Sequence, residues 1–470
     1  MITIVSLGTE KGDLTGRGLS AIRSADKVLV RNASLPSAQS LKEEGIPFEG
    51  LDGIYEKSRN FDTLAKNLAA EVTKQAKDCN LCYCVDGGVC EDRAAQMLIA
   101  RGAVTVIEGV SKGAKAAAAA HLAGAYQAVS AYELAGRKLT LPLVVYDLHD
   151  RNLAGDVKLL LSEKFGDEAP ALYIGEQGAQ NIPLYEADRQ TQYGAGSALV
   201  LFEQPLLERK RFDLDDLYEI LRRLRAPDGC PWDKVQTHES IRINAIEEAY
   251  ELVDAIDCGD GDKICEEAGD VIMQAAFHTL MEEEKGAFTM TDVLSGLCEK
   301  LITRHTHVFG QDSAKDDKGA LSVWEKNKMT EKHHTTYADT VNDVPQCFPA
   351  LLRAQKICKR MAKGGWNFDS FQGNKKKLYE ETEELQRAFE AGDKQGIADE
   401  LGDVLMVVAH IGRLVGADCE QALLDAVKKV SKRFCEWERL VLADGKDVHA
   451  LTNEEWDFYY KQAKENVSRD

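Results

Sequence analysis

Ten acids stand along this chain in two matching sets of five. Glu247, Glu248 and Glu251 are followed by Glu267 and Asp270. Glu380, Glu381 and Glu384 are followed by Glu400 and Asp403. Each acid of the first set has its counterpart 133 residues on (380 − 247, 403 − 270). A helix advances about 100° per residue, so the EExxE acids share one helix face and the ExxD acids share a face of the next helix. The segment Cys258 to Lys263, with Gly259 and Gly261, is a short enough connection to fold the two helices into an antiparallel hairpin. Five carboxylates so gathered repel one another, and hard divalent cations with oxygen ligands relieve that repulsion. Di-iron bundles use Glu-x-x-His; the Glu-x-x-Asp here favours Mg²⁺ or Mn²⁺. A single set taken alone reads more readily as a solvated acidic face. The recurrence of the whole set favours metal, and so do the apolar neighbours Val271, Ile272, Val404 and Leu405, which are expected to face a core.

Divalent ions among carboxylates suit phosphoryl chemistry, where they offset charge on phosphate oxygens and activate water. Cations at helical spacing could meet the phosphates: Lys300 and Arg304, and again Lys429 and Arg433, offset by 129. Each pair also reads as ordinary helix-surface charge. His305 and His307 suit packing or capping better than a hard-cation site. His333 and His334 fall in a polar stretch and are expected in solvent. Trp232 reads either as a base-stacking ring or as a helix anchor in the core. Cys79-x-x-Cys82 has metal-ligand spacing. A buried strand Leu81 to Val85 accounts for the same residues, with Cys82 and Cys84 on one face and Tyr83 on the other.

Alternating apolar runs and helical patterns fill residues 1 to 203, as in an α/β fold. Ile2 to Leu7 reads as a buried parallel strand ending at Gly8. Past Gln204-Pro205 and the charged stretch Glu208 to Arg211, strand signals fade and amphipathic helices follow. A second polar break runs from Lys332 to Pro345. The predicted organisation is therefore 1–203, a linker at 204–211, a helical unit at 212–331, a linker at 332–347 and a second helical unit at 348–470. With 470 residues, three domains fit the length. The net charge of −20 argues against a nucleic-acid partner. No run approaches a membrane span and the start lacks a signal-peptide pattern, so a cytoplasmic protein away from membranes is expected.

From about Phe212 onward the chain resembles the MazG family of nucleoside triphosphate pyrophosphohydrolases. The carriers are Gly229-Cys230-Pro231-Trp232-Asp233 with Gln236-Thr237-His238, both EExxE and ExxD pairs, and Arg304-His305-x-His307-Val308-Phe309. The resemblance implies two all-α helical-bundle units, completed by homodimerisation, that hydrolyse an NTP to NMP and pyrophosphate. It implies Mg²⁺ on Glu247, Glu248, Glu251, Glu267 and Asp270, and on Glu380, Glu381, Glu384, Glu400 and Asp403. It gives the catalytic water to a glutamate among Glu247, Glu248, Glu380 and Glu381, and substrate phosphates to Lys300, Arg304, Lys429 and Arg433. His410 departs from the family, where the second unit often has Asn.

The first 200 residues resemble the two-lobed α/β tetrapyrrole (corrin/porphyrin) methylase family, as in YabN-like fusions. Gly8-x-x-x-Gly12-Asp13-Leu14-Thr15 is similar to that family's opening glycine loop, and the residues Val144-Tyr146-Asp147 and Asp156-Val157-Lys158 fit the fusions. The resemblance implies S-adenosylmethionine (SAM) bound near Gly8, Gly12 and Asp13. The same glycines also serve a tight strand-to-helix turn without a ligand. The second loop, Val85-Asp86-Gly87-Gly88-Val89-Cys90, lacks the family's Pro and His-Pro, which speaks against methyl transfer. Two alternatives to the hydrolase stay open: a SAM-dependent methyltransferase with a helical accessory region, and a non-catalytic metal-binding scaffold.

Overall fold

The computed structural model describes residues 1–55, 57–58, 61–194, 196–366 and 370–468. The last two residues of the second predicted helical unit lie outside them. The chain forms two compact units, Met1–Lys285 and Gly286–Asp470.

The first unit opens with a five-stranded sheet in the order β3-β2-β4-β1-β5. Its strands are β1 (Ile2–Ser6), β2 (Lys27–Val30), β3 (Glu49–Gly50), β4 (Leu81–Val85) and β5 (Val104–Ile107), all parallel. The helices α1 (Gly16–Arg23), α2 (Phe61–Gln75) and α3 (Arg93–Ala100) belong to this lobe. Strand alternation sorts the core into two faces. Ile4, Leu29 and Tyr83 pack on one side, and Val5, Val28, Cys82 and Cys84 on the other. The Cys82 and Cys84 sulfurs lie 3.8 Å apart, while the Cys79 thiol donates to the Gln75 carbonyl. The strand reading of these cysteines therefore holds over the metal reading.

A second five-stranded sheet has the order β6-β7-β10-β8-β9. Strand β6 (Gln127–Ser130) runs parallel to β7 (Leu143–Tyr146). The others, β8 (Pro170–Gly175), β9 (Gly178–Pro183) and β10 (Ala198–Leu201), pair antiparallel. Two further helices, α4 (Lys112–Ala119) and α5 (Arg151–Phe165), belong here. Leu143, Val145, Leu161 and Leu199 are all fully buried in this core.

Helices α6 (Leu214–Arg225), α7 (Asn244–Cys258) and α8 (Gly261–Glu284) complete the first unit. The second unit is helical: α9 (Met290–Arg304), α10 (Asp317–Glu331), α11 (Tyr337–Asn342), α12 (Ala350–Lys363), α13 (Phe371–Ala391), α14 (Lys394–Val415), α15 (Cys419–Ala443) and α16 (Asn453–Val467). The polar stretch predicted as a linker at 332–347 is ordered around α11, which Thr336 caps. Lys332 holds Asp343 at 2.8 Å, and Arg360 lies 3.6 Å from the same carboxylate. Trp232 is 61% exposed, so the core-anchor reading fails.

Leu143 is fully buried in the core of the second sheet. Leu143→Ala is expected to cost about 2–5 kcal/mol of stability in a denaturant titration. A cost below about 1 kcal/mol would contradict the packing described.

Candidate carboxylate site and the inter-lobe cleft

Helices α7 and α8 form the first acidic hairpin. The connection is shorter than the segment 258–263 expected from sequence. Gly259 ends α7 in the left-handed region (φ 68°), and Asp260 caps α8 by accepting from the amides of Asp262 and Lys263. The second hairpin uses the same device. Gly392 (φ 68°) ends α13, and Asp393 caps α14 through the Gly396 amide. Glycine reaches this backbone region without a Cβ penalty, and aspartate satisfies orphan helix amides. This Gly-Asp pair repeats at the 133-residue offset (392 − 259) and was a signal that the acids alone did not exhaust.

The turns bring three carboxylates together in each hairpin. Oxygens of Glu248, Glu267 and Asp270 lie within 4.8 Å of one another, and so do those of Glu381, Glu384 and Glu400. Glu247, Glu251, Glu380 and Asp403 lie outside these two triads. Partial desolvation and then the charges of Glu251, Glu266, Asp270 and Glu248 push the Glu267 carboxyl above the usual range. Desolvation, Glu384, Glu381 and Asp403 do the same to Glu400. Both clusters are thus held against their own repulsion, and their all-oxygen donor sets fit a hard divalent cation.

The two triads take different acids, Asp270 in the first and Glu384 in the second, and one neighbouring residue that the sequence reading missed also sets them apart. Lys377, on α13, lies 2.9 Å from Glu380 and 2.6 Å from Glu381. It holds the Glu380 carboxyl below its usual value. At the same offset the first hairpin has Asn244, which carries no charge. Spacings of i+3 and i+4 to the two acids were the available signal.

The other predicted residues are placed as follows. Arg304 makes a bidentate pair with Glu331 (2.7 and 2.8 Å) and packs over Trp324. Lys300 lies one turn before it on α9. Lys429 is exposed on α15; one turn on, the Arg433 Nε is buried with no hydrogen-bond partner among the described residues. His305 caps the end of α9, its ring 2.7 Å from the Leu301 carbonyl. His410 is buried beside Arg413, 3.1 Å away, and burial pulls its pKa down. Ile272 and Leu405, expected to face a core, are 49% and 46% exposed. A two-helix hairpin covers one stripe of each helix, and these residues lie off it.

The inter-lobe cleft of the first unit was the expected SAM site; it holds a cavity of about 700 Å³, and the glycine loops beside it are bonded largely to their own chain. Gly8 (φ 75°) stands where a Cβ would meet the Cβ of Asp13 at 2.1 Å. The Asp13 carboxylate accepts from the Thr9 and Glu10 amides, both at 2.9 Å. Ser6 takes the Gly8 amide, and Ser40 faces that of Gly12. In the second loop, Gly87 donates to the Gly8 carbonyl and Gly88 to Glu91. Both loops therefore turn their amides onto their own chain. The buried Lys112 ammonium lies between Asp147 (2.7 Å) and Asp86 (3.3 Å), which follow β7 and β4. Burial disfavours its charge, but the two carboxylates outweigh this and raise its pKa. A cation of the chain itself thus fills the acidic slot. No SAM binding is expected by calorimetry, and Lys112→Met, leaving two buried carboxylates unpaired, is expected to cost about 3–5 kcal/mol. SAM binding tightened by Lys112→Met would contradict this reading.

Comparison with known proteins fits the helical half. The MazG nucleotide pyrophosphohydrolase domain matches residues 236–309 and 369–435. The uncharacterised protein YabN of Bacillus subtilis is 30% identical over the whole chain and 99% of its own length. The nucleoside triphosphate pyrophosphohydrolase/pyrophosphatase MazG of Thermotoga maritima is 38% identical over 53% of this chain and 95% of its own. Among solved structures, the precorrin-6Y methylase of Archaeoglobus fulgidus aligns with 44% of this chain and 99% of its own, at 13% identity and a TM-score of 0.32. With such relatives aligned over nearly their full lengths, the chain belongs to the MazG nucleotide pyrophosphohydrolase family, hydrolases acting on phosphoric anhydrides.

Proposed function

We propose that this chain hydrolyses nucleoside triphosphates between the α and β phosphates, releasing NMP and pyrophosphate, with Mg²⁺ (or Mn²⁺) held by the two carboxylate triads. The convergence of Glu381, Glu384 and Glu400, and of Glu248, Glu267 and Asp270, is the observation that carries this reading. A divalent ion held there would offset phosphate charge and lower the pKa of a bound water. Glu251 and Asp403 complete the two ligand sets. Glu380 and Glu247, outside the triads, are the groups proposed to take the proton of the attacking water. Lys429 and Arg433, and in the first repeat Lys300 and Arg304, are proposed to bind substrate phosphates. Lys377 would turn from its glutamates to the incoming phosphates, which makes the second repeat the proposed catalytic one.

The proposed organisation is a methylase-like region at 1–203 that does not transfer methyl groups, MazG units at 212–331 and 348–470, and connections at 204–211 and 332–347. The exposed apolar residues of the hairpins, among them Ile246, Tyr250, Ile272, Leu401 and Leu405, support a homodimer that covers them. Among the described residues no helix is long and apolar enough to cross a membrane. A cytoplasmic location without a nucleic-acid partner remains our reading. The SAM-transferase alternative is disfavoured by the self-satisfied glycine loops. The scaffold alternative predicts no turnover of any NTP.

Two measurements test the proposal. Pyrophosphate release from a panel of NTPs with Mg²⁺ is expected to fall about 10²–10³-fold in Glu381→Gln, several kcal/mol of barrier, and far less in Glu248→Gln. Equal loss in both, or no release by the intact chain, contradicts it. The second is thermal stability against pH. Glu267 and Glu400 bind protons more tightly folded than unfolded. Without metal, their contribution to stability is therefore greatest at low pH and falls as pH rises through their raised values. Metal binds the deprotonated clusters, so the rise in melting temperature caused by Mg²⁺ should be larger at pH 8 than at pH 5. An equal or larger rise at pH 5 contradicts carboxylate ligation.

A further inference from the structure

Helices α10, α11 and α12 of the second unit enclose a cavity of about 310 Å³. One wall is apolar, from Leu321, Met329 and Tyr337. Against it stand Lys328, Lys356 and Lys359. The remaining lining charges are spoken for. Lys363 pairs with Glu325; Arg360 donates to the Thr340 carbonyl and lies beside Asp343. Among the described residues, Lys328, Lys356 and Lys359 make no ion pair. Lys328 packs over Trp324 (5.0 Å) and Lys356 over Phe348 (5.5 Å).

This is an unusual place for positive charge in a chain of net −20. Surface lysines ordinarily spread into solvent; these converge on a concavity with a low-dielectric wall, which focuses their field. Burial, and then Arg360, Lys332 and Arg304, pull the Lys328 pKa below its usual value. An anion in the cavity would offset these charges, and phosphate groups suit lysine point charges. The apolar wall suits a flat ring beside those phosphates. The cavity shares no residue with either carboxylate triad.

We propose that this cavity is a second, metal-independent nucleotide site, with phosphates on Lys328, Lys356 and Lys359 and the base against Met329 and Tyr337. It shares none of the carboxylates proposed above to hold metal, and Arg304, proposed above to bind phosphate, borders it through Trp324.

The test is calorimetric titration of ADP into the full chain carrying Glu248→Gln and Glu381→Gln, in EDTA. Saturable binding is expected, weakened at least tenfold by Lys328→Ala and by Lys359→Gln, and retained in Lys328→Arg. Inorganic pyrophosphate should compete, but at least tenfold more weakly than ADP. No binding in EDTA, or binding unchanged in both lysine variants, overturns the proposal. Pyrophosphate binding as tightly as ADP overturns the nucleotide assignment. Loss of binding in Lys328→Arg as well would mean a packing role for Lys328, and then the Lys359→Gln result decides. Pyrophosphate release with Mg²⁺ is read separately, so either proposal can fail alone.

Discussion

The constraint on which the helical half turns is repulsion between carboxylates that the backbone will not let separate. Each hairpin closes through a left-handed glycine and an aspartate cap, and that closure sets the register of the two helices. Register then puts three carboxylates within 4.8 Å. Proteins rarely hold like charges so close unless something else completes the set. In the second hairpin Lys377 contributes one compensating charge. The first hairpin has Asn244 there and leaves its charge uncompensated from that position. The two repeats are thus alike in their acids and unlike in their electrostatics.

The α/β half shows the opposite arrangement, in which opposite charges are buried and satisfied. Lys112 opens a helix between the ends of strands from two sheets and closes on Asp86 and Asp147. Ser37 and Ser130 donate to the same carboxylates, so the cluster is hydrogen-bonded as well as paired. Burial alone would discharge the lysine; two carboxylates prevent it.

Much of this was legible in the residues. The 133-residue offset revealed the repeat, and 3.6-residue spacing placed the acids on shared faces. Period-2 alternation separated Cys82 and Cys84 from Tyr83 as found. Other features were not legible, for physical reasons. Strand β6 is polar at a sheet edge, and β9 is exposed over Gly178 to Asn181, so neither shows an apolar run. The Lys112 cluster joins residues 26 and 35 positions away from the lysine, which no local pattern reports. Ile272 and Leu405 have core-type side chains, and only the packing shows them uncovered. Lys377 stands three and four residues before Glu380 and Glu381, a helical spacing that places its ammonium beside both carboxylates.

The central claim is that the carboxylate triads exist to hold divalent metal. Electron paramagnetic resonance titration of Mn²⁺ into the intact chain, Glu381→Gln and Glu248→Gln tests it most directly. The account predicts saturable sites in the intact chain, with one class lost in each variant and the other retained. Mn²⁺ binding that is absent, or indifferent to both substitutions, would contradict it.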